Sequence, residues 1–237
     1  MEHDSASRVA RYKREAAEAA VDRFFQPGMR VGLGSGSTAA FAVRRLAALR
    51  AEGRLLDVSG VPTSRATEAL ARELGVPLTT LEEHPTLDVT IDGADEVAPD
   101  LSVIKGGGGA LLREKIVAQA SVRVVIIADV TKLSPRLGTH WPVPVEVLPF
   151  GWRSQQLFLE SLGARVVPRM RADGTPDVTD QGNRVLDCAW GPIDAPETLA
   201  ARMEARAGIV EHGLFLRVAT DLVVAGPGGV EHRARPS

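Results

Sequence analysis

Apolar residues recur at helical spacing across residues 7–25, and a short apolar run at 29–33 then opens into Gly32-Leu33-Gly34-Ser35-Gly36-Ser37-Thr38. The pattern predicts a helix, a strand and a glycine loop at the mouth of a second helix over 38–50. The alternation continues with a strand at 55–61, a helix at 65–74, a strand at 87–91, a helix at 110–120 and a strand at 122–128. The last of these, 122–128, reads as a buried parallel strand. Strands alternating with helices build βαβ units and a mostly parallel sheet with helices on both faces, a Rossmann-like α/β arrangement.

Past about residue 136 the rhythm changes. Pro142, Pro144 and Pro149 punctuate an apolar stretch at 143–148, and a predicted helix at 152–162 and strand at 164–170 follow. A turn-rich stretch with Asp173-Gly174-Thr175-Pro176 and Asp180-Gln181-Gly182-Asn183 then leads to a strand at 184–189, a helix at 196–207 and a strand at 209–211. That order, β-α-β-β-α-β, predicts a smaller α+β (ferredoxin-like) domain. The apolar run 221–225 is expected to return to the first sheet, which makes the small domain an insertion: 1–136 and 211–237 form the Rossmann-like domain, 137–210 the smaller one. Residues 231–237 are expected to fray.

Composition narrows the class. The 237 residues are 44% hydrophobic but 4% aromatic, a balance that suits helix-on-sheet packing better than an aromatic-lined groove. A formal charge of −2 offers no footprint for nucleic acid or an anionic membrane. Cys188 is the single cysteine, which excludes an internal disulfide and a multi-cysteine zinc site; inside Val185-Leu186-Asp187-Cys188-Ala189-Trp190 it reads as a packed small hydrophobe. The charged residues 1–14 are followed by no apolar segment of the signal-peptide kind, and no run approaches the length of a membrane span. A cytoplasmic protein with no membrane partner is expected.

Two segments carry the candidate chemistry: Asp92-Gly93-Ala94-Asp95-Glu96, and Lys105-Gly106-Gly107-Gly108-Gly109 followed by Arg113-Glu114-Lys115. Consecutive glycines at a helix mouth expose bare N–H groups to a ligand, with carboxylates and an ammonium beside them, so a phosphorylated or polyhydroxylated small molecule is the natural guest. The first glycine loop lacks the third glycine of a dinucleotide fingerprint, the ribose-binding acid after the second strand and the Gly-Lys-Ser/Thr of a Walker loop. It is either a phosphate cradle or a structural tight turn. Asp92, Asp95 and Glu96 follow a parallel strand, where open α/β sheets place ligands. The three acids also leave a Mg²⁺ site open, or a turn cap with solvated charges. Glu114 lies about one turn into the helix that the glycines open, within reach of a ligand held there, and suits proton abstraction next to a carbonyl. Taken alone, between Arg113 and Lys115 on a helix, it is usually one more charge on a wet face. Lys105 suits stabilisation of the oxyanion, and Lys132, in Ala128-Asp129-Val130-Thr131-Lys132, is a further cation at the sheet edge or a surface lysine.

Taken together, Gly34-Ser35-Gly36-Ser37-Thr38, Asp92-Gly93-Ala94-Asp95-Glu96, Lys105-Gly106-Gly107-Gly108 with Arg113-Glu114-Lys115, and Ala128-Asp129-Val130-Thr131-Lys132 resemble ribose-5-phosphate isomerases of the A type. Val210-Glu211-His212-Gly213-Leu214-Phe215 resembles that family's late segment, and the likeness runs in one order from about Lys13 to Gly229. The resemblance implies an aldose–ketose isomerase of the pentose phosphate pathway that interconverts D-ribose 5-phosphate and D-ribulose 5-phosphate through a cis-enediol, with a Rossmann-like catalytic domain and no metal or cofactor. It implies Glu114 as the base, with Asp92, Asp95 and Lys105 handling hydroxyls, ring opening and developing charge. Substrate binding falls to Ser35, Gly36, Ser37, Thr38, Asp92, Gly93, Ala94, Asp95, Lys105, Gly106, Gly107, Gly108, Lys132 and Lys13. A homodimer or homotetramer is expected. The departures are Gln181, where the family favours an Asn-like residue, and Gly109, often alanine. Two rival readings remain: a sugar-phosphate sensor, which needs no Glu114 and shows no turnover, and a CoA-transferase-like enzyme, which forms a covalent glutamyl adduct with an acyl-CoA.

Overall fold

The computed structural model describes residues 2–235, with side chains from residue 6 onward. Helix α1 (Glu2–Phe24) leads into β1 (Arg30–Leu33), α2 (Gly36–Ala51), β2 (Ser59–Pro62), α3 (Arg65–Glu73) and β3 (Leu87–Gly93). The two-residue strands β4 (Glu96–Val97) and β5 (Val103–Ile104) precede α4 (Leu111–Gln119) and β6 (Ser121–Asp129). Next come β7 (Val143–Val147), α5 (Trp152–Ser161), β8 (Arg165–Pro168), β9 (Arg184–Ala189), α6 (Pro196–Glu204) and β10 (Ile209–His212). The chain ends with β11 (Leu214–Phe215), β12 (Asp221–Gly226) and β13 (Gly229–Ala234).

Two compact units result. The first comprises Met1–Ala94, Arg113–Leu133 and Arg217–Ser237. Its six-stranded sheet has the order β13-β12-β6-β3-β1-β2, parallel from β2 through β12. Because β2 lies on one side of β1 and β3 on the other, the winding reverses between β1 and β3, the point at which doubly wound sheets bind ligands. Inward residues of β1, β3, β6 and β12 meet Tyr12, Ala16, Ala20 and Val21 of α1 and Val43, Leu46 and Leu49 of α2 in one core. The uninterrupted burial of β12 and of the second half of β6 is why those segments read as apolar runs without alternation.

The second unit comprises Asp95–Leu112 and Ser134–Leu216. It carries an antiparallel sheet of order β10-β7-β9-β8 with α5 and α6, the strand order of a ferredoxin-like α+β fold. A three-stranded sheet, β11-β5-β4, draws residues 95–112 into this unit, although sequence periodicity groups them with the first. Two-residue strands have no periodicity to detect. Cys188 is buried in this unit's core, and burial pushes its thiol pKa up, as suits a packed hydrophobe.

Three expectations are corrected. The predicted strand at 55–61 shortens to β2, because Leu55–Asp57 turn and Asp57 takes φ +57°. The strand at 164–170 stops at Pro168. The tail does not fray: Gly229–Ala234 pairs antiparallel with β12 around the Gly226-Pro227-Gly228-Gly229 turn, and His232 reaches Asp221 at 2.7 Å. Charged Glu231, Arg233 and Arg235 hid this edge strand, a composition edges favour. Residues 236–237 lie outside the described residues.

The turn-rich stretch before β9 is anchored by an acid. Glu146, fully buried on β7, accepts through Oε1 from Thr179 Oγ1 and Asn183 Nδ2, both at 2.8 Å, and pairs in register with Glu211. Its other oxygen has no hydrogen-bond partner among the described residues. Burial raises its pKa against the lowering effect of the two hydrogen bonds, and the charges of Glu211 and Asp180 add to the rise. Folding therefore favours the protonated form: this contribution is present below the unfolded value of about 4.3 and is lost as pH climbs through the folded pKa. Thermal unfolding of wild type and Glu146→Gln between pH 4 and 8 should show the variant gaining on wild type as pH rises; a gap independent of pH would refute this.

Candidate active site

In the first unit the site grows from the reversal point of the sheet. Asp92, at the end of β3 and 2% exposed, accepts through Oδ1 from the Ser35 N–H at 3.0 Å and the Gly93 N–H at 2.7 Å, which ties the loop after β1 to the loop after β3. The Ser35 hydroxyl is 2.7 Å from Thr63 Oγ1, and Thr63 donates onward to the Leu33 carbonyl at 3.1 Å. Thr67 donates to the Gly34 carbonyl at 3.0 Å while its own N–H caps onto Ser64. Ser35 is the N-cap residue of α2, yet its side chain makes no capping bond because it is turned to Thr63. The positive end of α2 thus opens at Gly36, Ser37 and Thr38 without a side-chain cap. Lys13 Nζ sits 3.0 Å from Ser37 Oγ and adds positive charge there, and a Cβ added at Gly93 would lie 3.8 Å from Thr38 Cβ. Ser35, Gly36, Ser37, Thr38, Asp92, Gly93 and Lys13 therefore form one cluster. Lys132 stands half-buried in the single turn after β6, which Asp129 caps through the Thr131 N–H.

Glu114 lies in the first turn of α4, the helix that follows the glycine stretch. It is 5% exposed, and neighbouring Lys115 is buried too, so the wet-face reading of this segment fails. A buried carboxylate needs compensating partners, so its burial is not the accident of an ordinary surface charge.

The second unit holds the other candidates. Asp95 is fixed by its N–H to the Ile104 carbonyl at 2.8 Å, and its Oδ2 accepts from the Gly107 N–H at 2.7 Å. Lys105 follows β5 and is 3% exposed; its N–H donates to the Gly213 carbonyl, and its ammonium lies 5.8 Å from the Phe215 ring centroid. A side chain at Gly213 would put Cβ 2.3 Å from the Lys105 carbonyl oxygen. Gly106 to Gly109 form a turn closed by the Gly109 N–H on the Gly106 carbonyl at 2.9 Å, with Gly107 and Gly108 exposed. Glu96, 1% exposed, does not join Asp92 and Asp95 as a third acid. Its two oxygens accept the backbone N–H groups of Gly138, Thr139, His140 and Trp141 at 2.9–3.3 Å, which orders that loop.

Comparison with known proteins shows the family. The family described as ribose 5-phosphate isomerase A (phosphoriboisomerase A) matches residues 59–229. A ribose-5-phosphate isomerase A from Chloroflexus aurantiacus is 59% identical over 220 residues, covering 93% of this chain and 92% of its own. The chain belongs to the ribose 5-phosphate isomerase A family. Solved structures agree. The Plasmodium falciparum ribose 5-phosphate isomerase superposes with a TM-score of 0.93 at 37% identity, over 96% of this chain and all of that one. A D-ribose-5-phosphate isomerase in complex with phospho-erythronic acid gives 0.93 at 35% identity, over 96% and 99%.

The sequence pointed to the glycines and charges but not to what holds them. Thr63 and Thr67, which buttress the Ser35 loop, sit in an unremarkable Thr63-Ser64-Arg65-Ala66-Thr67. Their signal, in retrospect, is the run of small hydroxyl residues where β2 ends. The late segment Val210–Phe215 now has a physical reason: β11 pairs with β5 immediately before Lys105, and Gly213 admits the close approach. The odd residue of the Asp180–Asn183 segment, Gln181, falls in an exposed part of the turn, whereas Asn183 is the member the core uses.

Proposed function

We propose that Glu114 is the base that carries a proton between C2 and C1 of an open-chain pentose phosphate, through a cis-enediol. The reaction is the interconversion of D-ribose 5-phosphate and D-ribulose 5-phosphate, a step of the pentose phosphate pathway, as in the family to which the chain belongs. The observation that carries this reading is the burial of Glu114 in the first turn of α4, directly after the glycine stretch. A carboxylate there accepts the C2 proton, and the negative charge passes to the sugar oxygens. Lys105 neutralises that charge, with Gly106, Gly107 and Gly108 supplying N–H groups. Asp92 and Asp95 handle the hydroxyls and ring opening, with Gly93 and Ala94 forming the backbone between them. Ser35, Gly36, Ser37 and Thr38, with Lys13 and Lys132, hold the phosphate at the positive end of α2. One relative at 35% identity binds phospho-erythronic acid, a phosphorylated sugar acid, which supports this class of ligand.

The same reading includes a metal-independent reaction, a cytoplasmic location and a homodimer or homotetramer. No helix among the described residues is long and apolar enough to cross a membrane. Purified, EDTA-treated protein given D-ribose 5-phosphate in D₂O should produce the ketose, with deuterium entering C1. Turnover that vanishes with EDTA and returns with Mg²⁺ would replace the metal-free mechanism. Turnover with no deuterium entering at any stage would favour hydride transfer over a base.

A further inference from the structure

Arg169, just beyond β8, spreads its guanidinium between two tasks. Nε and Nη2 grip Asp187 of β9 at 2.9 and 2.5 Å, the paired geometry that fixes an arginine plane. Nη1 reaches back to the carbonyls of Gly106 and Gly107 at 3.0 and 3.1 Å. Both partners and the loop belong to the second unit.

The consequence follows from peptide planarity. In a trans peptide the C=O and the N–H of one unit point in opposite directions. The Gly106 carbonyl held by Arg169 belongs to the same peptide as the Gly107 N–H, which donates to Asp95 Oδ2 at 2.7 Å. The Gly107 carbonyl, also held, fixes the Gly108 N–H facing away from the arginine. A run of four glycines has no side chains to select among peptide orientations; the Gly109 N–H closes the turn on the Gly106 carbonyl from within, and Arg169 adds the hold on the Gly107 carbonyl from outside.

We propose that Arg169, clamped by Asp187, is a positioning residue for the isomerase reaction, setting the peptides of Gly106–Gly108 so that one N–H orients Asp95 and the next faces the ligand. The inference rests on the catalytic role proposed for Asp95 and the glycine turn. Lysine cannot replace this arginine, because one ammonium does not reproduce a planar fork engaged on both sides.

The test is steady-state turnover of ribose 5-phosphate by full-length Arg169→Met, Arg169→Lys and Asp187→Asn, with thermal unfolding of each. A misplacement of about 1 Å near the chemistry costs on the order of 10²-fold. Arg169→Met should therefore lose roughly 10- to 100-fold in kcat with KM changed by less than about threefold, and added methylguanidine should restore part of the loss. Arg169→Lys should stay impaired while folding normally, and Asp187→Asn should fall in between. Wild-type kcat in Arg169→Met, or in Arg169→Lys should the Met variant not fold, would overturn the proposal. So would a loss without guanidinium rescue that tracks a lowered Tm. Combining Arg169→Met with Asp95→Asn separates the two layers. Losses that fail to add support the route through Asp95, and additive losses overturn that route alone. Wild-type activity of Asp95→Asn by itself would overturn the role of Asp95.

Discussion

Glu114→Gln lowers kcat for ribose 5-phosphate by about 10³-fold, within the 10²–10⁴ that a placed general base contributes, and changes KM by less than about threefold. The amide keeps the shape and most of the packing of the carboxylate in its buried position on α4, so the fold and the cluster at the start of α2 stay in place. What it removes is the ability to take a proton from C2. Three readouts separate this from a structural effect. Deuterium exchange from solvent into substrate should disappear along with turnover. A phosphorylated sugar acid should still compete for the site. The unfolding temperature should stay within a few degrees of wild type. Activity within tenfold of wild type would remove Glu114 from the base role, and Arg113 and Lys115, its neighbours on α4, offer no carboxylate to take over.

How far the sequence carried the reading depends on the length scale of each feature. The strand at 122–128, buried from Val124 on though Val122 is exposed, and the strand at 184–189 were legible because burial on a sheet leaves a continuous or alternating apolar record in the chain itself. The glycine loops were legible because a backbone that must meet a ligand or another backbone admits no side chain, and the composition shows it directly. Strands β4, β5 and β11 were not legible: two residues carry no period, and although β4 pairs with the nearby β5, β11 reaches β5 from about a hundred residues away in sequence. Sequence separation also hid Arg169, whose partners are 18 and 63 residues away. Glu96 misled for a related reason. Adjacent to Asp95 in sequence, it opens β4 while Asp95 sits in the bend before that strand, and its carboxylate goes to the amides of 138–141. The edge strand β13 failed through chemistry, since exposed edges are built from the charged residues that mark a loose tail.

Gly34→Ala is expected to cost more than its one methyl group suggests. A Cβ at Gly34 would lie 2.2 Å from Asp92 Oδ1, 2.4 Å from its Cγ and 2.5 Å from its Cα. The side-chain clash alone would be relieved by a rotation of Asp92, but the Cα is part of β3, so relief requires the ends of β1 and β3 to move apart. Those ends are joined by the Gly34 N–H on the Ile91 carbonyl and by the Ser35 N–H on Asp92, and both bonds lengthen if the strands separate. The substitution therefore strikes stability and site together. Overpacking of this kind costs about 1–3 kcal/mol, or roughly 2–12 °C in Tm for a chain of this size. The displacement of Asp92 and of the α2 entrance should lower kcat/KM by on the order of 10²-fold. Gly228→Ala is the matched control, because its added Cβ meets nothing within 4 Å, and it should leave both quantities near wild type. Unchanged turnover in Gly34→Ala would mean that the junction of Asp92 with the Ser35 loop does not hold the reacting groups. A drop in Tm with kcat/KM intact would confine Gly34 to packing and separate the stability of the sheet's reversal point from its chemistry.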